Sequence, residues 1–311
     1  MDTDFLDWAL AAFSGYVAAD ELYDGPFCML SVVDNRCDKR ILSDVLDHDP
    51  THDDIRTFLR RLHTALSARN LPLLGVTTDG SALYPVPLAE VFGDVPHQIC
   101  TFHIMAERSK AVLGAVASAR KGLAATQPTL PTGRPSTQAA QAAARTKKRL
   151  AEQGAALFTH RYLFVQRHLN KTERRTLWRI SRGLPQFCVL RALMEQGYAL
   201  CDRRGRTQTA LDQLATLQRR VQRFPALGDT LKKLFAPTLE KALTFLDDKL
   251  LPATSNAVER GNRRYRKMQK QVYRVRTQVQ IRARLALDMW REAQAEGRQQ
   301  TLTSLHHARA G

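Results

Sequence analysis

Three acidic residues stand where a sequence can do metal chemistry. Asp20 closes the apolar run Tyr16-Val17-Ala18-Ala19, Asp79 closes Leu73-Leu74-Gly75-Val76-Thr77-Thr78, and Glu259 lies in Ser255-Asn256-Ala257-Val258-Glu259-Arg260. A carboxylate at the C-terminal edge of a buried strand is pinned by the sheet and faces a crevice, the usual place for chemistry in α/β sheets. Two such acids with a third from a helix suit a pair of Mg²⁺ (or Mn²⁺) ions, which take oxygen ligands and keep waters. Two ions about 4 Å apart stabilise the attacking and leaving oxygens of a phosphodiester displacement. The expected catalytic and metal-holding set is therefore Asp20, Asp79 and Glu259.

Each acid also has a plainer reading. Asp79-Gly80-Ser81 is an ordinary strand-exit turn, and Asp20-Glu21 reads equally as a solvated strand end. With Asn256 as N-cap, Glu259 falls at the third helical position and closes a capping box. Around Glu259, Arg260, Arg263, Arg264, Arg266, Lys267, Lys270, Arg274 and Arg276 form the densest basic stretch of the chain. They are the candidate DNA-binding residues, with Tyr265 and Tyr273 interleaved for backbone contact or stacking; the plainer reading is a solvated charged face. Cys100 and His103 invite a zinc reading, yet zinc needs three or four ligands and only His97 stands near them. No GxxxxGK[ST] loop or nucleophile motif is present.

Charge is the strongest global signal. The 311 residues carry a formal net charge of +17 with a pI near 10.1, which points to a polyanionic partner. Residues 1–104 hold 7 Lys+Arg against 16 Asp+Glu, and the rest hold 40 against 14. An acidic first third and a basic remainder suit a metal-holding core joined to a phosphate-binding surface. The plainer account of the excess charge is solubility. A hydrophobic content of 44% fits a globular chain. Five cysteines, odd in number and without CxxC pairing, read as reduced thiols. With no secretory leader and no membrane-length apolar run, a cytoplasmic, nucleoid-associated protein is expected.

Hydrophobic periodicity gives the elements that must hold the acids. A short helix at 3–13 precedes strands at 16–20, 27–33 and 40–46, joined by Asp24-Gly25-Pro26 and Asp34-Asn35-Arg36 turns. A helix capped by Thr51 runs to Asn70. A buried strand at 71–78, a helix at 82–92 broken near Pro85 and Pro87, a strand at 97–101 and a helix at 103–123 follow. The order β-β-β-α-β-α-β-α is that of a ribonuclease-H-like core: an α/β fold with a mixed five-stranded sheet flanked by helices. It sets the ends of the first and fourth strands side by side. Residues 124–138 form a proline-rich loop and 139–250 a large all-α insertion, with helices at 139–157, 172–182, 186–200, 207–222 and 229–249. Helices at 255–270 and 277–295 close the core. The expected divisions are 1–123, 124–250, 251–295 and a tail, 296–311.

With these motifs in place, the chain resembles the catalytic region of a bacterial insertion-sequence transposase of the Asp-Asp-Glu type, Mutator-like or a related group with an all-α insertion. The resemblance covers roughly residues 15–292. It rests on Asp20-Glu21 after an apolar strand, Val76-Thr77-Thr78-Asp79-Gly80, Cys100-x-x-His103, and Ser255-Asn256-x-x-Glu259-Arg260-x-Asn262-Arg263-Arg264. It implies that Asp20, Asp79 and Glu259 are metal ligands and that Cys100 and His103 are a structural marker. It also implies cutting of phosphodiester bonds at element ends, joining of the 3′-OH to target DNA, double-stranded DNA as partner, and a homodimer or larger assembly when two ends are synapsed. Such transposases usually carry an N-terminal end-reading domain, whereas here the core begins about fifteen residues after Met1. A truncated copy, or end recognition by the helical insertion and the basic C-terminal helices, is the corresponding expectation. The alternatives are a catalytically inactive, transposase-derived DNA-binding protein, and a structure-specific nuclease on the same fold.

Overall fold

The computed structural model describes residues 3–130, 132–202, 207–222, 238–271 and 276–293. They fall into two compact units, residues 1–101 with 247–311, and residues 102–246.

The first unit is built on a sheet. Helix α1 (Thr3–Leu10) leads into β1 (Tyr16–Asp24), β2 (Phe27–Asp34) and β3 (Arg40–Leu46), then α2 (His52–Ser67), β4 (Gly75–Thr78), α3 (Pro85–Phe92) and β5 (His97–Ile99). The strand order is β3-β2-β1-β4-β5. β1 to β3 form the antiparallel meander, and β4 and β5 add in parallel. Gly25, at φ 63°, supplies the left-handed position of the two-residue hairpin between β1 and β2. At the next turn, the Asp34 carboxylate accepts from the backbone N–H groups of Arg36 and Cys37, both at 2.9 Å.

Side chains alternate across the sheet, and each face has its own cover. Val17, Ala19, Leu30 and Val32 pack with Ile55, Phe58, Leu59 and Leu62 of α2 and Leu88 of α3. On the opposite face Leu22, Met29 and Val45 meet two helices from the end of the chain: Tyr265 and Met268 on one, Ile281 and Leu285 on the other. Helix α2 starts as expected, with Thr51 and Asp54 closing a capping box.

Among its described residues the second unit has helices and no strand. Its elements are α4 (Thr101–Ala125, whose first residue belongs to the first unit), α5 (Gln138–Thr159), α6 (Lys171–Ser181), α7 (Pro185–Leu200), α8 (Thr207–Gln222) and the short α9 (Thr238–Lys241). Its core joins Val112, Leu157, Phe164, Ile180, Phe187 and Leu190. Arg191, buried in that core, donates to the carbonyls of Leu163 and Gln166 at 3.0 and 2.7 Å and pairs with Glu195. Residues 102–246 hold 26 Lys+Arg against 8 Asp+Glu, more than the whole chain's excess of +17. The chain then returns to the first unit through α10 (Asn256–Gln271) and α11 (278–293).

Several boundaries differ from the sequence reading. The strand expected at 71–78 begins only at Gly75, because β1 offers partners only from Tyr16 onward. Leu71 and Leu73 still pack into the core from the preceding loop. The helix expected at 229–249 is not continuous over its described part: α9 ends at Lys241, and a single 3₁₀ turn follows at Thr244–Leu246. Residues 229–237 lie outside the described residues. No described helix is long and apolar enough to cross a membrane.

Candidate active site

β1 and β4 are adjacent and parallel, with Val17 opposite Val76 and Ala18 opposite Thr77. Continuing that register sets Asp20 opposite Asp79, one residue beyond the end of β4. The carboxylate oxygens of Asp20, Glu21 and Asp79 lie within 4.8 Å of one another. Adjacent strand ends force three negative groups together, an arrangement that a cation or a proton relieves.

Each acid is held differently. Asp20 is 9% exposed and projects toward the α10 face, where the Asn262 side-chain amide donates to its Oδ2 at 2.7 Å. Asp79 sits in a tight turn: its Oδ1 accepts from the Ser81 backbone N–H at 2.8 Å. Gly80 follows at φ 100°, where a Cβ would come 3.0 Å from Ile99 Cγ2. Glu21 lies on the opposite face from Asp20, toward the fully buried Tyr84. Burial pushes the Glu21 carboxyl above its ordinary value and the Asp79 charge pushes it further, with the Ser81 and Tyr84 hydroxyls offsetting part of the rise. Burial also drives the Tyr84 phenol far up, with Glu21 adding to it, so it stays protonated.

The third expected acid arrives on α10. Residues 252 and 253, just before this helix, are strapped to the strand ends. Thr77 Oγ1 donates to the Pro252 carbonyl at 2.9 Å, and the Thr101 N–H donates to the Ala253 carbonyl at the same distance. The first helical bond of α10 runs from the Glu259 N–H to the Ser255 carbonyl. Ser255, not Asn256, therefore occupies the cap position, and Glu259 is the fourth helical residue. That corrects the capping-box reading, since the third position belongs to Val258. The Glu259 carboxylate lies within 4.8 Å of Cys100 Sγ and outside the Asp20–Glu21–Asp79 group. Cys100 is itself buried, its sulfur accepting from the Ser255 N–H at 3.4 Å. Glu259 and Asn262 are three residues apart on α10, neighbours on one helical face, so the helix that bonds Asp20 also carries Glu259. His103 stands in the first turn of α4, within the second unit. His97 bonds Thr78 Oγ1 at 2.9 Å.

Of the expected DNA-binding residues, Arg263, Arg266, Lys267, Lys270 and Arg276 are exposed. Arg260 is exposed and paired with Asp38, and Arg264 is exposed and paired with Glu292 at 2.6 Å. Arg274 and Tyr273 lie outside the described residues. Tyr265 is not a surface stacking residue: it is 3% exposed, packs into the sheet face and donates to Asp24 at 3.2 Å. Its spacing within a basic run mimics an interleaved aromatic, while its period puts it on the core side of the helix.

Glu21 and Asn262 stand in the sequence motifs without an assigned role. Their signal is adjacency to Asp20 and a one-turn offset from Glu259. The second unit adds a surface with no counterpart in the sequence motifs. Phe158 and Tyr162 are more than half exposed, and the Arg161 guanidinium lies 4.5 and 4.4 Å over their rings. Compared with protein-family models, curated proteins and solved structures, the chain matches none.

Proposed function

We propose that this chain is the catalytic core of a Mg²⁺-dependent DNA transposase with a ribonuclease-H-like sheet. It would cut phosphodiester bonds at element ends and join the freed 3′-OH to target DNA. The observation that carries the reading is the pairing of Asp20 and Asp79 at register-matched ends of neighbouring parallel strands, with Asn262 tying Asp20 to the helix that bears Glu259. The strand order β3-β2-β1-β4-β5 supports the fold assignment. The charge of the second unit, with its arginine-stacked aromatics, supports a nucleic-acid partner.

The donor set fits a hard divalent ion, because Asp20, Glu21 and Asp79 offer only carboxylate oxygens and converge. Asp20 and Asp79 would hold the metal pair, with Glu259 as the third ligand from α10 and Glu21 beside them. Bound there, Mg²⁺ supplies an activated oxygen nucleophile and charge stabilisation at the leaving oxygen. The protein's part is positioning. The Asp79 turn, closed by the Ser81 N–H, holds one carboxylate, Asn262 holds that of Asp20, and the straps at Thr77 and Thr101 hold the start of α10. Synapsis of two element ends would require at least two copies of the chain.

A second reading, a catalytically silent DNA-binding protein, is favoured by one feature: Glu259 lies with Cys100 rather than within the Asp20–Asp79 group. Cleavage decides between them. Purified chain with Mg²⁺ or Mn²⁺ is expected to nick duplex DNA carrying the element's ends. Asp79→Asn should abolish nicking and leave binding intact.

A further inference from the structure

On the α10–α11 side of the first unit a cavity of about 450 Å³ opens beside β3. Arg40, the first residue of β3, lines it and is 6% exposed. A buried guanidinium ordinarily has its N–H groups paired, since five donors withdrawn from water are strongly unfavourable without acceptors. The Arg40 side chain has no hydrogen bond or ion pair among the described residues, and its Nε is fully buried without an acceptor. Space is kept for it: a Cβ at Gly261 on α10 would come 2.5 Å from Arg40 Nη2.

The walls are cationic as well. Arg264, Lys267, Arg284 and Arg291 share the lining with two acids, Asp288 and Glu292. Both acids are already engaged, Glu292 with Arg264 at 2.6 Å and Asp288 with Arg284 at 3.6 Å. That leaves Arg40, Lys267 and Arg291 without an ion pair of their own among the described residues. Burial lowers the Arg40 pKa, and the attraction of Glu292 and Asp288 restores only part of it.

We propose that this cavity is an anion site that takes a phosphoryl group, with the Arg40 guanidinium as its buried donor and Lys267 and Arg291 at its rim. Three cations without ion-pair partners among the described residues, around a cavity larger than a single oxyanion, suit a doubly charged phosphoryl group or two linked ones. A planar guanidinium pairs with phosphate oxygens through parallel N–H bonds. The group could come from a DNA strand, in which case the site rests on the nucleic-acid reading above, or from a free nucleotide or phosphate.

Calorimetric titration of the full chain with sodium pyrophosphate, in EDTA and at matched ionic strength, tests the site. The wild type is expected to bind and to melt at a higher temperature with the ligand. Arg40→Met should weaken binding at least tenfold, yet melt at the same or a higher temperature than wild type without ligand, because it removes an unpaired buried charge. Should Arg40→Met fail to fold, the double variant Lys267→Gln/Arg291→Gln leaves the core untouched and is also expected to weaken binding. Pyrophosphate that displaces duplex DNA identifies the DNA strand as the source, and binding without displacement identifies a free ligand. Asp79→Asn should bind pyrophosphate as wild type does, so failure of the catalytic reading leaves this result standing. Absence of wild-type binding, or equal binding by wild type and the cavity variants, overturns the proposal.

Discussion

Asn262 donates a 2.7 Å hydrogen bond to the buried carboxylate of Asp20, joining positions 242 residues apart. The bond crosses from the last part of the chain to the central strand of the sheet, and it fixes a candidate ligand that faces α10. Removing the donor leaves a buried carboxylate short of one partner. Asn262→Ala is expected to destabilise the chain by about 1–3 kcal/mol and to reduce metal-dependent nicking at least tenfold, with DNA binding unchanged. Urea unfolding beside a nicking assay measures both, and an unaltered nicking rate would remove Asn262 from the site.

Glu21 gives the site a pH signature. Its folded pKa lies above the ordinary 4.5, so the folded chain keeps this proton after the unfolded chain has lost it. The contribution to stability is therefore fully present below about pH 4.5 and falls as pH rises through the raised folded value. Divalent cation at the three carboxylates should restore what is lost above that window and release protons on binding. Glu21→Gln should flatten this part of the profile. Melting curves from pH 4 to 8, with and without Mn²⁺, read the effect; a Mn²⁺-insensitive profile at every pH would contradict the metal reading.

Gly80 sets the turn that aims Asp79. At φ 100°, with Ile99 Cγ2 only 3.0 Å from where an added methyl would sit, Gly80→Ala meets both backbone strain and steric crowding. A loss of about 1–2 kcal/mol is expected from the left-handed conformation alone. Nicking should fall further than stability accounts for, because the Asp79 carboxylate is displaced. Thermal unfolding and initial rates on the same preparation separate the two effects.

The positive charge of residues 102–246 predicts a steep salt dependence of DNA binding by the full chain. Arg145, Lys148 and Arg149 are exposed on α5. Neutralising all three should reduce the slope of log affinity against log salt by about 0.9 for each phosphate that these side chains neutralise. Fluorescence anisotropy at several salt concentrations measures the slope. An unchanged slope would show that this helix does not meet the phosphates.

The sheet was legible because its signals are local. Period-two apolar runs, the Asp24-Gly25-Pro26 turn and the Thr51 cap each act over a few residues, and the strand order brought Asp20 and Asp79 together. What was hidden depends on partners distant in sequence. Leu71–Leu74 reads as strand by composition, but a strand needs a neighbour, and β1 offers one only from Tyr16. Tyr265 lies in a basic run, yet its ring packs with Leu22, Met29 and Val45. Ser255, the cap of α10, is buried and donates its N–H to Cys100, 155 positions away, a contact that no local pattern shows. Glu21 joins the acidic group although a strand neighbour of Asp20 faces the other side of the sheet. At the sheet's end, the Asp79 turn lies close enough to meet both.

The most direct measurement is nicking of duplex DNA carrying the element's ends by purified wild type and Asp79→Asn with Mn²⁺, with binding followed in parallel. The metal-site reading predicts nicking by wild type, none above background by Asp79→Asn, and equal DNA affinity for both. Equal nicking by the two proteins would contradict it.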